Sequence, residues 1–143
     1  MQVRRGTYED MKNVLDLLEK YHQESVFKDV KWVRTDMVKT IEYLLKSRDS
    51  SLFVAYNGRQ ELIGTIGGTL SPHMFNSRAV WASDMFFVSH GAGPALLRHF
   101  KDWALGSGAE RIVMGVSSGD ARADHLLELS GFEKTGGMYV IRS

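Results

Sequence analysis

The stretch richest in chemical content is His90-Gly91-Ala92-Gly93-Pro94-Ala95-Leu96-Leu97. Two glycines close a strand-like run, and Pro94 stands where a first helical residue belongs. Leu96, Leu97, Phe100, Trp103 and Ala104 give the following helix one apolar face. Glycines let a backbone approach a ligand closely, and the free N–H groups and dipole of a helix N-terminus favour negative charge, so this is a place for phosphate. The same residues also make a tight strand-to-helix turn that binds nothing, and the spacing alone leaves both readings open. Nucleotide loops fit poorly: GxxxxGK(S/T) is absent, and Leu96 occupies the third glycine position of GxGxxG.

A carboxylate is the next candidate. Asp84 interrupts the apolar run Ala79 to Val88 and is expected to share a strand face with Val80, Ala82, Phe86 and Val88. Desolvation there would raise its pKa toward that of a useful proton acceptor. The plainer alternative is that Asp84 accepts hydrogen bonds from backbone groups or Ser83 and does no chemistry. The five histidines (His22, His73, His90, His99, His125) show no ligand spacing. With no cysteine and no HExxH pattern, no metal site is expected, and disulfides and thiolate nucleophiles are excluded.

The elements that must position these residues follow from the periodicity. A short strand around Val3 leads into Thr7-Tyr8-Glu9-Asp10, which reads as a capping box. Met11, Val14, Leu15, Leu18 and Tyr21 form the stripe of a first helix. Met37, Val38, Ile41, Leu44 and Leu45 form that of a second, starting at Thr35 or Asp36. The connection from Gln23 to Arg34 is polar and aromatic, with Phe27 and Trp32. Leu52–Tyr56 and Leu62–Ile66 are strands around the hairpin signal Asn57-Gly58, and Ser71-Pro72-His73 marks a loop before the long strand. Ile112–Val116 reads as a short strand covered on both faces, and Ala121–Ser130 as a helix closed by Gly131. Phe132 and Met138–Ile141 complete the order β-α-α-β-β-β-α-β-α-β-β. The fold class is α/β, an α+β mixed sheet with helices on both faces, in which Val80 to Val116 is a right-handed parallel crossover.

Composition bounds the partners. The chain has 143 residues, 43% of them hydrophobic and 24% charged, which is the make-up of one globular domain spanning 1–143. Eighteen Lys+Arg against seventeen Asp+Glu leave a net charge of +1 with no dense basic run, so no grip on nucleic acid is expected. No apolar stretch reaches the ~20 residues that span a bilayer, so no membrane association and a cytoplasmic location are expected.

The whole pattern resembles the GNAT superfamily of acyl-CoA-dependent N-acyltransferases, over essentially the full chain. The element order, the strand–GxG–helix and Leu129-Ser130-Gly131-Phe132 carry the resemblance. Ser71-Pro72-His73-Met74-Phe75 and Ala82-Ser83-Asp84-Met85-Phe86-Phe87-Val88 look like members found in tailed-phage and prophage sequences. The resemblance implies acetyl-CoA as co-substrate and a small-molecule or peptide amine as acceptor. It implies cofactor contacts at Phe86, Phe87, Val88, His90, Gly91, Ala92, Gly93 and Ser118, with Asp84 as the route for the amine proton. His73 and Phe75 either line the acceptor pocket or anchor a loop. Exposed sheet edges are compatible with a homodimer.

Two departures stand out. The family loop reads V-x-P-x-x-(Q/R)-x-x-G-x-(G/A), followed by a Leu pair. Aligning that pair on Leu96 and Leu97 puts Gly91 and Gly93 at the small positions and leaves the loop about five residues short. A second register makes His90 the Q/R residue but puts Arg98 and His99 where the leucines belong. Many members also carry a tyrosine ahead of the Gly-Phe pair that protonates the departing thiolate. Leu126 or Leu127 stands there, and Tyr139, on the last expected strand, is the nearest substitute, although a packed strand tyrosine is the simpler reading. These departures keep a second function in play, a GNAT-fold protein without catalysis and with a structural or interaction role.

Overall fold

Short connections pair consecutive strands as a meander. In the computed structural model, which describes residues 1–116 and 121–143, β1 (Gln2–Arg5), β2 (Ser50–Tyr56), β3 (Leu62–His73) and β4 (Asn76–Ser89) run antiparallel to one another in that order. The chain then crosses through helix α3 (Gly93–Gly106) and returns as β5 (Arg111–Val113), parallel to β4. The sheet is therefore mixed, with β5 at its edge.

Helices cover both faces because β2 alternates apolar residues between them. Leu52, Val54 and Tyr56 meet Val14, Leu15 and Leu18 of α1 (Met11–Glu24) and Ile41 and Leu44 of α2 (Arg34–Lys46). Phe53 and Ala55 meet Leu96, Leu97 and Phe100 of α3. Helix α4 (Ala121–Leu129) ends at Gly131, whose φ of 92° needs a glycine, and Lys101 of α3 holds that end by donating to the Ser130 carbonyl at 3.0 Å.

Three sequence expectations change, and the hairpin at Asn57-Gly58 is not among them: β2 ends at Tyr56 and β3 starts at Leu62, as expected. Asn57 Oδ1 accepts from the N–H groups of Arg59 (2.9 Å) and Glu61 (3.0 Å), and Gln60, not Gly58, takes the left-handed φ of 61°. Ser71-Pro72-His73 is strand rather than loop. Pro72 lies past the end of β2, whose last partner on β3 is Thr69, so its missing N–H costs no ladder bond on that side. The strand Ile112–Val116 shrinks to Arg111–Val113 and is an edge with Val113 exposed, not covered on both faces. No strand forms over residues 132–143, so the expected last two are absent. The three-residue β5 offers too short a ladder to template another strand, and the tail is instead tied by an Arg142–Asp29 ion pair of 3.2 Å to the α1–α2 connection.

The N-terminal strand is locked by one buried carboxylate. Asp10 ends the 3-10 turn Tyr8–Asp10, and the capping box with Thr7 forms as expected. Arg4 donates to both Asp10 oxygens at 2.8 and 2.9 Å, and Tyr56 Oη donates at 2.7 Å. Burial pushes the Asp10 pKa up, but these donors and the Thr7 N–H outweigh it and hold it at about 2. A carboxylate depressed on folding stabilises the protein above its unfolded pKa and loses that stabilisation as pH falls through the folded value. Urea unfolding should therefore show about 2 kcal/mol lost between pH 5 and pH 2. Asp10→Asn should cost about 2 kcal/mol at neutral pH and flatten that acid dependence.

Candidate functional site

One residue too many in β4 shapes the site. Asp84 pairs with Gly68 and Phe86 with Gly67, which leaves Met85 without a partner on β3. Side chains alternate along a strand, so a single extra residue exchanges the faces beyond it. Ala82 packs on Ala104 and Ala109 on the α3 side, whereas Phe86 and Val88 point toward α1 and α2. The expectation that Ala82, Asp84, Phe86 and Val88 share one face is therefore wrong, and the bulge is the reason.

Glycines opposite the bulge make room for it. A Cβ on Gly67 would come within 2.7 Å of Phe86 Cζ and 2.8 Å of Leu44 Cδ1. One on Gly68 would come within 2.5 Å of both Phe100 Cζ and the Ser83 carbonyl oxygen. A larger residue at Gly68 would have to move the Ser83 backbone, and one at Gly67 the Phe86 and Leu44 side chains.

Just past this point β4 and β5 separate. Their ladder ends at Ser83 and Val113, and a cleft of about 130 Å³ opens beyond it. Asp84, Met85, Phe86 and Phe87 form its floor on β4. Gly115, Val116 and, from α4, Ala123 and Leu127 form one wall, and Tyr21 and Phe27 form the other. The Gly115 N–H donates to Asp84 Oδ1 at 3.0 Å across the gap. Burial raises the Asp84 pKa, and this hydrogen bond, which favours the ionised form, only partly offsets it. Among the described residues, β5 pairs with β4 no further than Ser83, so the β4 amides beyond it have no partner on β5.

The glycine loop lies at the far end of β4. Gly91 has a φ of 96° and open space around it. The His90 N–H donates to Ile63 O at 2.8 Å, and the Ala92 N–H to Ser89 Oγ at 2.9 Å. Among the described residues, the amides left to meet a phosphate in the turn are those of Gly91 and Gly93. Gly93 opens α3, a helix of 14 residues with Pro94 in its first turn. Its small size serves packing as well, since a Cβ there would lie 2.6 Å from Leu126 Cδ2. Leu96 and Leu97 are fully buried and Arg98 exposed, which matches the register with Gly91 and Gly93 at the small positions.

Other expected residues lie elsewhere. Tyr139 is 97% exposed on a segment that forms no strand, away from the cleft, so it is neither a packed strand tyrosine nor a neighbour of Asp84. The phenol that lines the cleft belongs to Tyr21. Leu127 lines the cleft, and Leu126 packs over Gly93. His73 sits at the β3–β4 hairpin tip, its ring 4.2 Å from that of Trp81, and its Nδ1 accepts from the Phe75 N–H. It anchors the turn and does not line the cleft. Ser118, with Ser117, Gly119 and Asp120, lies outside the described residues. Among the described residues no cluster of metal-ligating side chains occurs, and no helix is long and apolar enough to cross a membrane. Met85, Tyr21 and Phe27 went unassigned in the sequence; the one available signal was the Gly67-Gly68 doublet inside a strand.

Comparison with known proteins agrees with the fold. The profile of the acetyltransferase (GNAT) family matches residues 11–132. No curated protein matches the sequence. Among solved structures, a probable acetyltransferase superposes with a TM-score of 0.77 at 19% identity, over 100% of this chain and 98% of that one. A ribosomal-protein-alanine N-acetyltransferase from Brucella melitensis gives 0.72 at 18%, over 100% of both chains. An aminoglycoside antibiotic 6'-N-acetyltransferase from Acinetobacter haemolyticus gives 0.74 at 12%, over 100% of this chain and 98% of that one. At these identities the likeness is one of fold.

The packing of the bulge is directly testable. Gly68→Ala should lower stability by about 1–3 kcal/mol, because neither the Phe100 ring nor the Ser83 backbone can withdraw freely. Gly58→Ala, in open space and without a left-handed φ, should leave the urea midpoint unchanged or slightly raised.

Proposed function

The chain belongs to the acetyltransferase (GNAT) family, and from that membership we propose that it transfers the acetyl group of acetyl-CoA to a primary amine by direct attack, with both substrates bound together. The observation that carries this reading is the parting of β4 from β5 beside Met85. Amides released from strand pairing there can donate to a carbonyl oxygen, and they are rigidly held before any charge develops on it. When bound, acetyl-CoA supplies the thioester whose carbonyl carbon the amine attacks. Phe86, Phe87 and Val88 would flank its arm along β4. The Gly91 and Gly93 amides and the α3 dipole would hold its diphosphate, with His90 and Ala92 beside them.

The amine attacks as the neutral species, having shed one proton to solvent, and Asp84, on the cleft floor with a raised pKa, receives the second as the N–C bond forms and the C–S bond breaks. The sulfur leaves as thiolate. Tyr139, fully in solvent, is set aside as its proton donor.

Two observations favour a second reading, a GNAT-fold protein that has lost catalysis and serves as a structural or interaction component. The His90 and Ala92 amides are already satisfied within the protein, and Leu127 cannot donate a proton. Each missing charge-assisted bond weakens binding by ~1.5–3 kcal/mol.

Thermal unfolding with acetyl-CoA separates the two. At a hundred times the dissociation constant the coenzyme should add ~2.7 kcal/mol, several degrees for a chain of this size. No shift at millimolar acetyl-CoA would overturn the enzyme reading. Asp84→Asn keeps an acceptor for the Gly115 N–H, so it should retain the shift while kcat falls about a hundredfold. Unchanged turnover would remove Asp84 from its role.

A further inference from the structure

Resting on the acetyltransfer reading above, we infer that the acceptor is a singly charged primary amine carried on an apolar, aromatic-sized stem, and not a polycation. The cleft mouth is the ground for this. Phe27 and Met85 both line it and are 44% and 50% exposed, and Tyr21 joins them in the lining. Apolar side chains gathered in the open around a concave site mark a surface that a ligand covers.

The charges point the same way. Among the described residues lining the cleft, Asp84 is the one carboxylate. Asp29, on the connection that carries Phe27, is taken by Arg142 at 3.2 Å, and Lys28 adds a positive charge beside Phe27. Glu24 faces a separate shallow recess with Lys20 and His90. One ammonium is balanced by Asp84 and attracted by aromatic faces. Among the described residues lining the cleft, further cations on the same molecule would meet apolar walls and no second carboxylate, which is costly. An apolar stem removes Phe27 and Met85 from water instead.

The test is free-thiol release under saturating acetyl-CoA with 2-phenylethylamine, ethylamine, spermidine and kanamycin. The expected result is a kcat/KM for 2-phenylethylamine at least about tenfold above those for spermidine and kanamycin. Phe27 is exposed, so Phe27→Ala should fold normally, and it should raise KM for 2-phenylethylamine about tenfold more than for ethylamine. Faster turnover of spermidine or kanamycin would overturn the inference while leaving acetyltransfer intact. An equal effect of Phe27→Ala on the two small amines would do the same. If acetyl-CoA raises the melting temperature but none of the four amines releases thiol, the inference falls and coenzyme binding stands. If neither shift nor thiol release is seen, the acetyltransfer reading falls and takes the inference with it.

Discussion

The unpaired residue Met85 sets the geometry of everything around it. A strand with a regular ladder on both sides has no spare donors; one with an extra residue must bend, and its neighbours cannot all follow. Here β3 follows, by using Gly67 and Gly68 where the Phe86 and Phe100 rings leave no room for a Cβ. Strand β5 does not follow, because it stops after three residues. The cleft is the space between a strand that accommodates the bulge and one that does not.

This division also explains why the site is both apolar and charged. Exchange of faces at Met85 sends Phe86 into the α1–α2 core while Phe87 packs toward α3, so both sides of the strand remain anchored next to the gap. Asp84 is the residue left at the exchange point. Its partner is the Gly115 amide across the gap rather than a side chain, so it is oriented without being neutralised by a cation. The glycine loop shows a similar double use: Gly91 supplies a left-handed turn, and Gly93 gives α4 a surface on which Leu126 can rest. Small residues in such a loop are required by packing even before a ligand is considered.

Much of this was legible in the residues. The stripes of α1, α2 and α3, the capping box at Thr7, the parallel return after α3 and the Gly131 stop all depend on local periodicity or local backbone needs, and all are present. What was not legible depended on partners distant in sequence. No local signal says that Met85 lacks a partner, since that is decided by how β3 pairs, so the faces of β4 beyond it were misread. The strand propensity of Met138–Ile141 could not act without a neighbouring ladder, and Tyr139 therefore lost the position expected of it. Tyr21 and Phe27 belong to a helix and a connection whose approach to β4 is a matter of packing alone.

The most direct measurement is a crystal structure of the protein with acetyl-CoA bound. The account predicts the thioester oxygen within ~2.7–3.1 Å of a β4 amide in the bulge region beside Met85, and the diphosphate against the Gly91–Gly93 turn. Coenzyme density lying outside the gap between β4 and β5, or that gap closed by continued strand pairing beyond Ser83, would contradict it.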